Sequence, residues 1–167
     1  FYKSNYKSSI EYHYKSISVC KEIMLSPGIF YNLNNIGIIY FNQSEYSKAI
    51  ECFNQSINDF SQEKSLKNTQ VDILEPKIYL YLCYKLINKK YELKEIYNLI
   101  KDAKNIGFKL NLRLYELLEE SSYLETAYNQ IQEKVSVIGK ELAEKYLSYP
   151  IPKQIVEEWE KVSKVKN

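Results

Sequence analysis

Few residues in this chain could do chemistry. His13 is its only histidine, Cys20, Cys52 and Cys83 its only thiols, and Glu119-Glu120 and Glu157-Glu158 its adjacent carboxylate pairs near the end of the chain. A histidine general base needs a nucleophile or a second acid within reach, and no spacing ties one to His13. The cysteines stand 32 and 31 residues apart, with no CxxC and no nearby histidine, so no zinc pattern forms. They read as small buried apolar residues of a reducing compartment. Adjacent glutamates diverge by about 100° around a helix and do not converge on one reacting atom. Glycine-rich phosphate loops, HExxH and GxSxG are absent. The expectation is a protein that is not an enzyme and uses no metal or cofactor.

The elements that carry these residues are helices. Among 167 residues only four are glycine and four proline, too few for the turns of an all-β chain, and 45% are hydrophobic, enough to build a core. A net charge of +2 lacks the basic stripe of a nucleic-acid binder, so no direct nucleic-acid contact is expected. The longest apolar-rich run, Ile78 to Ile87, is broken by Lys85 and is shorter than the roughly 20 residues that span a bilayer. No membrane association is expected, and the cytoplasm is the expected location.

Periodicity locates the helices. Leu33, Ile36, Gly37 and Tyr40 share one helical face; after Asn42-Gln43-Ser44, so do Tyr46, Ala49, Ile50, Phe53 and Ile57. Gly37 and Ala49 mark where two antiparallel helices approach closely, since a glycine in a helix costs about 1 kcal/mol unless packing compensates. The hairpin recurs upstream: Tyr6 to His13 aligns without a gap on Tyr46 to Phe53, an offset of 40 residues. His13 therefore occupies a helix-packing position.

At Leu33, Ile36-Gly37, Tyr40, Tyr46, Ala49 and Phe53 the chain resembles the tetratricopeptide repeat (TPR). The resemblance implies an all-α, right-handed superhelical solenoid of helical hairpins with a C-terminal capping helix. The chain is expected to be a single TPR-like domain over 1–167, a fragment of a longer protein. Within it, 1–25 is the second helix of a truncated repeat, 28–62 the clear repeat, 76–105 a degenerate repeat, and 108–167 divergent helices and cap. Phe1 and Tyr2 would end a preceding helix.

In the degenerate repeat, Pro76 suits a first helical turn, and Leu93, Ile96, Tyr97 and Ile100 mark the second helix. Leu112 to Leu118 reads as a short helix. Leu124, Tyr128, Ile131, Val135, Ile138, Leu142 and Tyr146 predict a long one from Tyr123 to Leu147, about 38 Å at 1.5 Å per residue, with a bend at Gly139. After Pro150-Ile151-Pro152, Val156, Trp159 and Val162 line one side of a last helix.

In such stacks the first helix of each hairpin lines the inner surface. Its residues not used by the hairpin are Tyr31, Asn34, Ile38 and Phe41, flanked by Asn32, Asn35 and Asn42. Asn34 suits reading of a peptide backbone, and Tyr31 and Phe41 offer rigid area. Tyr31 and Asn34 are expected to stay open to solvent. The corresponding positions downstream are Tyr79, Tyr81 or Leu82, and Lys85, then Asn111, Tyr115 and Glu119.

The period of about 40 residues, the polar linkers and the segment Ile73 to Ile78 further resemble the peptide-pheromone receptors, or quorum-sensing regulators, of Gram-positive bacteria and their phages. That resemblance implies the peptide-sensing part of a dimeric transcriptional regulator, with a peptide or protein ligand and a homodimeric assembly. A protein-interaction scaffold or co-chaperone-like adaptor, and an accessory helical domain of an enzyme, are the alternatives.

Overall fold

The computed structural model describes residues 3–62, 73–103 and 105–165. Phe1 and Tyr2 lie outside them. Among these residues there are nine helices and no strand: α1 (Lys3–Glu22), α2 (Ser26–Asn42), α3 (Tyr46–Gln62), α4 (Leu74–Leu86), α5 (Lys94–Asp102), α6 (Phe108–Leu118), α7 (Ser121–Ser136), α8 (Lys140–Leu147) and α9 (Pro150–Val165). The fold is the expected all-α, TPR-like helical repeat. The chain divides into two compact units, Phe1–Ala103 and Lys104–Asn167.

In the first unit, α1, α2, α3 and α4 pack in succession, and α4 also meets α2 and α5. Three of the turns use one device. Met24 (φ 54°), Ser44 (φ 61°) and Asn88 (φ 54°) each adopt the left-handed conformation just past a helix end. Around Ser44, the amide of Glu45 donates to Tyr40 O and that of Ser44 to Phe41 O, both at 2.9 Å. Leu25 and Met24 bond back to Cys20 and Lys21 in the same way, and Lys89 and Asn88 to Tyr84 and Lys85. This is the Schellman arrangement, which satisfies carbonyls a helix end leaves unpaired. It turns the chain sharply enough for the next helix to pack back.

Two clusters form the core of this unit. Ile17, Leu33, Ile36 and Cys52 join α1, α2 and α3, with Ile10, Ile29 and Tyr40 around them. Ala49, Phe53, Tyr79, Leu80 and Cys83 join α3 to α4. Ala49 and Phe53 are fully buried, and Ser56 Oγ donates to Phe30 O at 3.1 Å. Gly37 makes its close approach to the Phe53 ring: a Cβ there would lie 2.5 Å from Cε1 and 2.8 Å from Cδ1. His13 joins α1 to α2. Its Nδ1 meets Asn32 Oδ1 at 2.8 Å, and because a carbonyl oxygen only accepts, Nδ1 carries the proton. Asn32 also donates to Ser16 Oγ and Gly28 O, so it binds the hairpin together instead of facing a ligand.

The three cysteines are buried and free. Burial pushes the Cys52 thiol up to about 11 and the Cys83 thiol up to about 12 from 9. Three pKa units leave Cys83 about a thousandfold poorer in thiolate at pH 8 than in the unfolded chain. Iodoacetamide should therefore alkylate Cys83 only on unfolding, which mass spectrometry of native and urea-treated protein will read.

In the degenerate repeat one expectation holds and one is corrected. α4 starts at Leu74, which places Pro76 in its first turn as expected, where a missing N–H is tolerated. α5 buries Ile96 and Leu99, whereas Tyr97 is exposed, because the short helix turns a narrower apolar face inward than its four large residues suggest.

In the second unit, α6 and α7 pack as a hairpin, and α9 lies against α7 and α8. Leu112, Leu124, Ala127, Ile131 and Ile155 are fully buried, with Tyr128, Trp159 and Val162 packed around them; Trp159 stacks on Tyr128 at 5.5 Å. The long helix expected from Tyr123 to Leu147 is two. α7 ends at Ser136, and Gly139 (ψ 153°) leaves helical geometry to begin α8. The break rotates α8, so Ala143 is buried and Leu142 is exposed. α9 includes Pro150 and Pro152 in its first turn instead of following them.

Candidate functional site

The stripe expected on α2 does not stay open along its length. Asn34 is only 4% exposed, and its Nδ2 donates to Glu75 Oε2 of α4 at 2.8 Å. Ile38 and Phe41 pack against the Ala49–Phe53–Tyr79–Leu80–Cys83 cluster, and the Phe41 ring meets Tyr79 edge-on at 5.1 Å. Tyr31 remains half-exposed, edge-on to Phe30 at 4.8 Å, and Asn42 is exposed at the last residue of α2. The expectation that Asn34 faces solvent is thus corrected. Because α4 begins before Pro76, its first-turn Glu75 comes to lie against Asn34.

This contact leaves one atom unsatisfied. Asn34 Oδ1 is buried and has no hydrogen-bond partner among the described residues. An unpaired buried acceptor costs about 1–3 kcal/mol, so packed interiors seldom keep one without a use.

On α4, Tyr81 turns toward α5. Its hydroxyl donates to Glu95 Oε2 at 2.7 Å, its ring stacks on Tyr91 at 5.7 Å, and Lys77 also pairs with Glu95. Burial alone would raise the Glu95 pKa, but hydrogen bonds from Lys77 and Tyr81 outweigh it and hold the carboxyl below its usual value. Burial and the Glu95 carboxylate push the Tyr81 phenol up. Tyr81 therefore joins α4 to α5 instead of extending the α2 stripe. Lys85 is half-buried in the last turn of α4. Tyr115 belongs to the second unit, where it packs against the Leu112–Leu124–Ile155 core.

Ile38 and Phe41 are brought together on the α3–α4 cluster and Asn34 turns to Glu75, so Tyr31 and Asn42 are the residues of the α2 stripe with exposed side chains. Among the described residues no three His, Cys, Asp or Glu side chains are placed to hold a metal ion. Glu75 is the participant that periodicity does not reveal. An acid in a first helical turn is a local signal, but its partner lies 41 residues earlier, a distance no local pattern spans.

Paired helices with a glycine contact and left-handed turns define a helical-hairpin protein. Comparison with known families identifies a tetratricopeptide repeat at residues 32–58, within the α2–α3 hairpin. No curated protein and no solved structure matches the chain. The repeat marks a module of protein–protein or peptide interaction, a type of fold that is typically not catalytic. No helix among the described residues is long and apolar enough to cross a membrane.

Proposed function

We propose that this chain is a polypeptide-binding module in which the α2–α4 face takes an extended peptide, and that it serves as the sensing part of a transcriptional regulator. The buried, unpartnered Asn34 Oδ1 carries the reading. A peptide N–H donated to this oxygen would satisfy it, and movement of the Glu75 side chain would open the way. Tyr31, half-exposed one turn earlier on α2, would lay its ring over the bound backbone. The regulator setting rests on the 40-residue repeat offset and the Ile73 to Ile78 segment that resemble the peptide-pheromone receptors.

Native mass spectrometry of the full-length protein from its own host tests this reading. A co-purifying short peptide is expected. Tyr31→Ala should weaken its binding at least tenfold, about 1.4 kcal/mol, with an unchanged melting temperature because the ring is half in solvent. Undiminished affinity in Tyr31→Ala would remove this face from the ligand's path.

An adaptor without a signalling peptide is the second reading, favoured by α1. Tyr12 and Val19 on α1 and Ile23 just past its end are 71%, 54% and 63% exposed, an apolar surface that suits a protein partner. A whole protein co-purifying in place of a peptide would decide for it.

A further inference from the structure

The second unit holds a cleft that the peptide-binding reading does not use. It has a volume of about 580 Å³, within the range of small-ligand pockets, and is lined by Phe108, Lys109, Lys134, Tyr146, Tyr149, Pro150, Ile151 and Pro152. The floor is aromatic and aliphatic: the Phe108 and Tyr146 rings stand edge-on at 6.4 Å, and Tyr146 and Tyr149 at 6.5 Å. No acidic residue lines it.

Its charge is all of one sign. The ammonium of Lys134 lies 5.5 Å from the centre of the Phe108 ring and 5.6 Å from that of Tyr146, and it pairs with no carboxylate among the described residues. Lys109 brings a second cation to the lining. The first residues of α6 and of α9 also form part of the wall, and neither helix carries an acid in its first turn to offset its positive end. An apolar floor and two cations ask for a ligand with an apolar body and one anionic head.

We propose that this cleft binds a small apolar carboxylate, its body against Phe108, Tyr146, Tyr149 and the two prolines and its carboxylate at Lys134 and Lys109. Lys134 is the selecting residue: in the empty cleft its charge rests on the ring faces, a weak cation–π contact that a carboxylate replaces with an ion pair. A neutral ligand of the same shape would fill the floor and leave the cations unpaired.

Calorimetric titration of the full chain with 3-phenylpropanoate and with its neutral amide tests the proposal, with amide shifts of Lys109 and Ile151 in ¹H–¹⁵N spectra locating the site. The acid is expected to bind at least tenfold tighter than the amide. Lys134→Gln should abolish that difference and Lys134→Arg should keep it, both with unchanged melting temperature, since Lys134 is exposed. Equal binding of acid and amide, binding of neither, or shifts confined to other residues would overturn the proposal. A tetrapeptide with a free C-terminal Phe serves as the third ligand. If it bound more than tenfold tighter than 3-phenylpropanoate, the cleft would be a site for polypeptide ends and the small-molecule assignment would fall.

Discussion

Gly37→Leu is expected to unfold the first unit. A Cβ at this position already lies 2.5 Å, 2.8 Å and 2.9 Å from three atoms of the Phe53 ring, well inside van der Waals contact. Phe53 is fully buried among Ala49, Tyr79, Leu80 and Cys83, so the ring has nowhere to move. Overpacking a core costs about 1–3 kcal/mol for small additions, and a leucine adds four carbons, which sets the expected loss above about 3 kcal/mol. Gly37→Ala should itself lose about 2 kcal/mol, although alanine is the better helix former by about 1 kcal/mol. Urea melts followed by far-UV circular dichroism measure the loss, and alkylation of Cys52 and Cys83 reports where the packing opens. Phe53→Leu introduced into Gly37→Ala should recover part of it, because the two sites share one volume. A Gly37→Ala protein as stable as the parent would show that this close approach is not what holds α2 on α3.

Glu116→Ala should cost the second unit about 3 kcal/mol. Arg113 is 8% exposed, and its Nη1 donates to both carboxylate oxygens of Glu116, at 2.8 Å and 2.6 Å. Gln154 Nε2 donates to the same carboxylate at 2.9 Å, tying α9 to α6. Removing the carboxylate takes two charge-assisted hydrogen bonds from the guanidinium and the Gln154 contact from α9, a costly way to break a mostly buried pair. The double substitution Arg113→Met with Glu116→Leu should lose far less, since it removes both charges together and fills their place with apolar side chains. Trp159, stacked in the same unit, gives a fluorescence signal for the urea titrations. Equal losses from the single and the double change would mean that packing, and not the ion pair, sets the stability there.

Both sites differ in how far the sequence reveals them. Gly37 stands out in a helical pattern because a glycine there needs compensation. Arg113 and Glu116 lie three residues apart on one helix and look like any surface pair; only the fold buries Arg113 and brings Gln154, 38 residues from Glu116, onto the carboxylate.

The amino-acid sequence by itself determined what depends on neighbours along the chain. Apolar spacing located α2, α3, α6 and α9, and the polar turns at Ser44 and Asn88 ended helices where left-handed residues close them. The repeat at residues 32–58 was legible for the same reason, since hairpin packing repeats a short pattern. Tertiary structure decided the rest. Asn34 is buried with Glu75 reaching it from 41 residues away, and Tyr97 lost its inward place to Leu99, while the bend legible at Gly139 became a full break between α7 and α8. The cleft at Lys134 likewise gathers residues from α6, α7, α9 and the end of α8. Local periodicity states which face of a helix is apolar, and only long-range contacts settle which neighbour covers it.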